Sequence, residues 1–159
     1  VLEEKVTIEL AVRSDASDIG ELSKSDIEYG LGWKYTPQRI EKIIGDRTKN
    51  VVVAQMDMQL AGFGIMTYGD DQTNLDLLAV KRPFRRLGIG SQIVHWLEAV
   101  AVTSGSYNIF VQVRSENRGA IAFYKRLGFH LIDEKRGYYR GVESGLVMAK
   151  SLRRMIDIS

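Results

Sequence analysis

Three apolar runs separated only by short polar turns, then a helical pattern and one more apolar run, restrict this chain to a mixed sheet. The runs are "NVVVAQ" (50–55), "LAGFGIMTYG" (60–69) and "TNLDLLAV" (73–80), joined by the turn at Asp57 and Met58 and by the polar loop "GDDQT". Runs this short and β-branched, with turns this tight, read as an antiparallel meander. "GSQIVHWLEAVAVTSG" then places Ile93, Trp96, Leu97 and Val100 at helical spacing, and "YNIFVQV" follows as a buried strand. A strand, a crossover helix and a strand imply a parallel pair inside an otherwise antiparallel sheet.

The flanks extend this pattern. "VTIELAV" reads as a first strand, and "DASDIGELSKSDIEYG" as a helix with Asp15 as its cap and Ile19, Leu22 and Ile27 as its apolar stripe. After an aromatic loop, Thr36 caps and Pro37 opens a short helix that Gly45 closes. "NRGAIAFYKRLGF" reads as a helix stopped at Gly128, and "HLIDEKRGYYRGVESGLVMAKSL" as a closing hairpin. An edge left by the final strand offers a place for a dimer, yet no apolar surface commits the chain to one, so monomer and homodimer both stay open. We expect one domain over residues 1–159, since that length supports a single core.

Composition removes several function classes. The chain has no cysteine and two histidines, His95 and His130, so thiol nucleophiles, disulfides and His-rich metal sites are excluded. No metal is expected, and the missing cysteine suits a reducing cytoplasm. No apolar run is long enough to span a membrane and no signal-peptide pattern is present, so neither membrane nor secretion is expected. The formal charge is 22 − 20 = +2, too small to draw nucleic acid to the whole surface. The local cluster Lys81, Arg82, Arg85 and Arg86 is another matter, because it precedes Gly88-Ile89-Gly90 at the start of a helix. Glycines there bring backbone N–H groups close to an anion at the positive end of the helix dipole. Neither the Walker loop nor the dinucleotide fingerprint fits: Ser91-Gln92 follows Gly90, and the third glycine position is Ile93. A pyrophosphate still fits the mechanism.

Arg85-Arg86-Leu87-Gly88-Ile89-Gly90 resembles the acetyl-coenzyme A signature of the GNAT family of N-acetyltransferases, Arg/Gln-x-x-Gly-x-Gly/Ala. A second family block follows in order, with Asn117, Ala120, Tyr124, Gly128 and Phe129 matching Asn-x-x-Ala-x-x-x-Tyr-x-x-x-Gly-Phe. The resemblance covers nearly the whole chain and implies an α/β (α+β) fold. It has a mixed, mostly antiparallel sheet of about seven strands with helices on both faces. It also implies that the sheet splays between the fourth strand, ending at Val80, and "YNIFVQV". Acetyl-coenzyme A would lie in that split, its pantetheine paired with the backbone of Leu78, Ala79 and Val80. Its pyrophosphate would be wrapped by Arg85, Arg86, Leu87, Gly88, Ile89, Gly90 and Ser91. Because backbone N–H groups face the anion in this arrangement, Leu87 and Ile89 can be apolar. Arg85 and Arg86 are the cations best suited to phosphate oxygens, while Lys81 serves equally well as a solvated loop charge.

Acetyl transfer to an amine needs a neutral amine, a stabilised oxyanion and a proton for the departing thiolate. The resemblance implies Tyr124 as general acid, and Asn117, Ile121 and Tyr124 share a helical face. Asn117 reads equally as a helix cap or, by the resemblance, as a pantetheine contact, and different atoms could serve both. RimI-type ribosomal-protein alanine acetyltransferases, the subgroup the chain most resembles, place a glutamate twelve residues before the tyrosine, where this chain has Gln112. A neutral amide takes no proton, so Asp76, two residues before Leu78 on the same strand face, is the leading base, ahead of Glu28 and Glu143.

Two segments address the acceptor, "EYGLGWKYT" and "RGYYRGVESGLVM". By resemblance to N-terminal acetyltransferases, Tyr138 and Tyr139 hold a peptide backbone with Trp33 on the opposite wall. Consecutive strand residues alternate faces, so ordinary packing of at least one of the two tyrosines is the competing reading. The implied reaction is direct transfer to a protein or peptide N-terminus in a ternary complex. A small-molecule amine as acceptor, or a non-catalytic acetyl-coenzyme A binding module, remain the alternatives.

Overall fold

The computed structural model describes residues 5–70, 72–139, 141 and 143–153. Asp71 of the acidic loop, and Arg140 and Val142 of the hairpin turn, lie outside the described residues. Seven strands pair in the order β1-β2-β3-β4-β5-β7-β6. The chain forms two compact units, Val1–Thr67 with Leu77–Leu97, and Tyr68–Asp76 with Glu98–Ser159.

The first unit holds β1 (Thr7–Leu10), α1 (Ala16–Asp26), α2 (Pro37–Ile44), β2 (Lys49–Met56) and β3 (Gln59–Tyr68) up to Thr67. It also holds the end of β4 (Thr73–Val80) and the start of α3 (Ile89–Thr103). β2 runs antiparallel to both β1 and β3. Asp57 and Met58 form the two-residue hairpin turn with φ of 53° and 62°, the type I′ geometry that matches strand twist. One sheet face sends Val51, Val53, Phe63, Ile65, Leu77 and Ala79 against Ile19, Leu22, Ile40 and Ile43 of α1 and α2. On the other face Gly64 lies under Ile93 and Leu97 of α3, so helices cover both faces of this unit, as expected.

Caps explain the helix boundaries. Thr36 Oγ1 accepts from the Arg39 amide and Pro37 opens α2, as the sequence predicts. Asp15 stands at the N-cap position of α1 as expected, but its side chain makes no cap bond: it closes the 3₁₀ turn over Arg13–Asp15, its carboxylate accepting from the Val12 amide at 2.8 Å.

β3 passes close to β4 at Gly62, where a Cβ would sit 2.7 Å from the Ala79 carbonyl oxygen and 3.2 Å from Val80 Cα. Backbone cannot retreat from such a contact as a flexible side chain can. Gly62→Ala is therefore expected to cost about 1–3 kcal/mol through overpacking, read as a lower urea midpoint at unchanged slope. An unchanged midpoint would show that the two strands part without cost.

The second unit contains the start of β4, the end of α3, β5 (Asn108–Arg114), α4 (Arg118–Arg126), β6 (His130–Tyr139) and β7 (Glu143–Ser151). β4 and β5 pair in parallel, the expected exception in an otherwise antiparallel ladder set. β7 pairs with all of β5 and carries β6 on its other side. The final strand is thus interior, which corrects the expectation that it leaves an edge: the edges are β1 and β6. β6 presents Asp133, Glu134, Lys135 and Arg136 to solvent and departs twice from regular register, both features that discourage strand addition.

α4 ends in a Schellman motif. The Phe129 amide bonds to the Tyr124 carbonyl, the Gly128 amide bonds to Lys125, and Gly128 takes a φ of 98°. The accompanying apolar contact is Tyr124 against Phe129, with ring centroids 5.3 Å apart. Glu98 of α3 is 1% exposed and meets Lys150 Nζ of β7 at 2.8 Å, a buried ion pair that the helical pattern did not disclose.

Candidate active site

β4 alternates along its length. Thr73, Leu75, Leu77 and Ala79 are buried, Asn74, Leu78 and Val80 are half-buried, and Asp76 on their face is exposed. The ladder to β5 involves Thr73, Asn74 and Leu75, all in the second unit. Asp76 shares its strand face with Leu78 and Val80, as the two-residue period requires.

In the first unit, the segment after β4 makes a 3₁₀ turn at Arg82–Phe84 and enters α3 at Ile89. Arg86 and Gly88 both have left-handed backbone, with φ of 66° and 79°. Left-handed residues alternating with right-handed ones turn successive N–H groups toward one side, a backbone arrangement that suits anions at helix N-termini. Nothing lies within 4 Å of a Cβ built on Gly88, so its conformation, not space, calls for glycine. Arg86 has no such freedom and carries roughly 1–2 kcal/mol of backbone strain, a type of cost found at functional sites. Ile89 turns its side chain into the core at 1% exposure, while Leu87 is 52% exposed. Gly90 and Ser91 are half-buried in the first turn of α3.

Arg85 is placed differently from its neighbour. Its Nε donates to the Val80 carbonyl at 2.8 Å and its Nη2 to Asp26 Oδ2 at 2.7 Å. The guanidinium thus fastens the end of β4 and the loop to the last residue of α1. Asp26 was not a sequence candidate, because a partner so distant in the chain leaves no local signal.

In the second unit, Asn117 caps α4 by accepting from the Ala120 amide at 3.1 Å through Oδ1. Tyr124 is buried, with Phe123 and Phe129 edge-to-face at 5.1 and 5.3 Å. Burial pushes its phenol well above the ordinary value of 10.0. The hydroxyl therefore keeps its proton throughout the neutral and mildly alkaline range. Gln112 is exposed on β5, opposite Val147.

Tyr138 and Tyr139 do not divide between two faces. Their rings meet edge-to-face with centroids 5.0 Å apart, and a Cβ on Gly145 would touch both at 3.3 Å. The reason is the irregular register between Lys135 and Tyr139, where Gly137 has a φ of 63°. A bulge cancels the two-residue period, and the glycine in "RGYYRG" was its sequence signal. Arg114 lies 5.6 Å from the centre of the Tyr139 ring and pairs with Glu143, Nε to Oε2 at 2.9 Å. Glu143 is thereby committed to an arginine.

Trp33 is drawn against α1. Its indole Nε1 donates to the Gly20 carbonyl at 3.1 Å, and Lys24 Nζ sits 4.7 Å from the ring centre. Glu28 is buried and accepts from Ser23 Oγ and from the amides of Lys34 and Tyr35.

Residues 17–129 match the family model described as the acetyltransferase (GNAT) family. The chain is 41% identical over 75 residues to a Drosophila melanogaster protein named probable N-acetyltransferase san, covering 45% of this chain. It spans less than half of that relative, 41% of its length. Against the ribosomal protein bS18-alanine N-acetyltransferase of Salmonella typhimurium it is 32% identical over 108 residues, 66% of this chain and 72% of the relative. Its fold is that of the PaiA N-acetyltransferase from Thermoplasma acidophilum, solved in complex with coenzyme A. The TM-score is 0.78 at 18% identity, over 92% of this chain and 99% of that one. With the turn before α3, the Asn117–Phe129 block and a family match over most of its length, the chain belongs to the acetyltransferase (GNAT) family.

Proposed function

We propose that this chain transfers acetyl from acetyl-coenzyme A to the amine of a protein or peptide N-terminus. The observation that carries the reading is the strained turn at Arg86 and Gly88 ahead of α3, an anion cradle made of backbone. In support, the Thermoplasma acidophilum structure is a complex with coenzyme A, and the Salmonella relative is named for alanine acetylation of a ribosomal protein. A cytoplasmic location belongs to the same proposal. No described helix is long and apolar enough to cross a membrane.

In the first unit, the amides from Arg86 to Ser91 would bind the pyrophosphate, helped by the Arg86 guanidinium. Arg85 holds the loop in place from Asp26 and Val80. Leu78, Ala79 and Val80 would offer backbone groups to the pantetheine amides. When bound, the coenzyme supplies an activated acetyl thioester. In the second unit, the Tyr124 hydroxyl would hold the proton that the thiolate requires, and the Asn117 amide group is available beside its capping oxygen. Asp76, exposed on the β4 face, would accept the proton of the incoming amine, directly or through water. Tyr138 and Tyr139, and the loop that carries Trp33, would address the acceptor.

Gly88→Ala imposes a left-handed conformation on a residue with a Cβ at a cost of roughly 1–2 kcal/mol, so coenzyme A affinity should fall about 5- to 30-fold. Isothermal titration reads this, with circular dichroism to confirm the fold. Equal affinity in the variant would remove the cradle from the argument. The reading as a whole is tested by thiol release on N-terminal peptides and on small amines. Turnover with polyamines or amino acids but no peptide would overturn the acceptor class. Tight coenzyme binding with no turnover would leave only a binding module.

A further inference from the structure

Loop 29–35 is held at both ends by one carboxylate. Glu28, just past α1 and 8% exposed, accepts from the Lys34 amide at 2.7 Å through Oε1 and from the Ser23 hydroxyl at 2.9 Å through Oε2. The Tyr35 amide reaches both oxygens, at 3.2 and 3.3 Å. Ser23 is itself fully buried. Within the loop Gly30 and Gly32 have φ of 75° and 86°, so the backbone reverses sharply and returns to the residue from which it left. Trp33 is tied separately to Gly20, and Tyr29, 46% exposed, is the aromatic that the loop presents to solvent.

The loop begins just past the end of α1 that meets the segment after β4 in the same unit. Asp26, two residues before Glu28, is the residue that holds Arg85 at 2.7 Å. One short stretch at the end of α1 therefore anchors both loops, one by an ion pair and the other by a buried carboxylate. The second loop has exposed aromatic surface and no anion nest of its own, which suits an acceptor and not a phosphate.

We infer that Glu28 is a positioning residue for the acceptor: its carboxylate closes loop 29–35 into a preset acceptor surface and takes no part in proton transfer. This rests on the acetyltransferase reading above. Chemistry separates the two roles. A glutamine fits the same contacts, its carbonyl accepting from the Lys34 and Tyr35 amides and its amide donating to Ser23 Oγ, whose hydroxyl can turn to accept. An aspartate keeps the charge but is one methylene too short to span Ser23 and the amides at once. A positioning role thus ranks Glu28→Gln above Glu28→Asp, and a base role ranks them the other way.

The experiment is steady-state acetylation of the best peptide found for the wild type, with Glu28→Gln, Glu28→Asp and Glu28→Ala, and amide hydrogen exchange on each. Glu28→Gln should stay near wild type. In Glu28→Asp and Glu28→Ala the KM for peptide should rise roughly 10- to 100-fold, the effect of a displaced contact surface, with the KM for acetyl-coenzyme A unchanged. Exchange at Lys34 and Tyr35 should accelerate in the same two variants. If Glu28→Ala fails to fold, the Gln and Asp pair decides alone. Loss of kcat in Glu28→Gln with activity kept in Glu28→Asp overturns the inference in favour of a base. An unmoved peptide KM in Glu28→Asp overturns it as well, by showing that the loop does not serve the acceptor. A wild type that acetylates no amine is a different failure, of the activity itself.

Discussion

Tyr124→Phe should lower kcat by about 10²–10⁴-fold, the range for removing a positioned proton donor, while the chain folds as before. The ring survives the change, and with it the edge-to-face contacts to Phe123 and Phe129 that seat it in α4. Coenzyme A binding should weaken by no more than about tenfold, the worth of one hydrogen bond. The pH profile adds an independent reading. Because burial raises the phenol, the native state holds this proton more tightly than the unfolded chain does. The associated stability is complete below the ordinary value of 10.0 and is lost as pH climbs through the raised native value. No alkaline fall in kcat up to pH 10 should therefore belong to Tyr124, and the phenylalanine variant should keep the wild-type profile there. A variant with full kcat would move the thiolate's proton to another group.

Lys150→Met should cost about 3–5 kcal/mol in stability, because it leaves the Glu98 carboxylate without its cation at 1% exposure. The Glu98 oxygens make no other hydrogen bond, so the ammonium at 2.8 Å is their one compensation among the described residues. The lysine stem also covers Gly128, with Cε 3.5 Å from where a Cβ would stand, so the pair lies against the C-terminal cap of α4. Adding Glu98→Leu should restore most of the loss, since removing both charges from a buried site is close to neutral. Urea unfolding of the single and double variants measures this. A single variant within about 0.5 kcal/mol of wild type would place it among ordinary surface substitutions, meaning water reaches Glu98.

Where the determinants were local, the fold was legible. "TNLDLLAV" is β4 to the residue, Thr36-Pro37 caps α2 as expected, and Gly128 stops α4 through its left-handed φ. Each depends on contacts within a few residues, where residue type and spacing carry the physics. The turn at Arg86 and Gly88 was legible for the same reason: the glycine spacing marks a backbone that must turn.

Other expectations met contacts that residue type and spacing do not display. Asp15 stands at the N-cap position of α1, but its carboxylate bonds back to the Val12 amide across a 3₁₀ turn and makes no cap bond to the helix. Tyr138 and Tyr139 were expected as a peptide-holding pair with strand alternation as the objection, and the bulge removes that alternation. Arg85 was expected at the phosphate from the family motif and its guanidinium fork; its Nη2 also engages Asp26, a pairing between residues 59 apart in the chain that the sequence does not display. Glu28 was read as a weak candidate base, while its oxygens are filled by Ser23, Lys34 and Tyr35.

The sequence by itself determined the strand and helix order and the family, because these follow from local backbone preference and short motifs. Only the tertiary structure decided which charged side chains are committed to other protein groups. Coulombic pairing and burial depend on neighbours in space: Glu28, Glu143 and Glu98 are the same side chain in the sequence and differ in what folding brings against them.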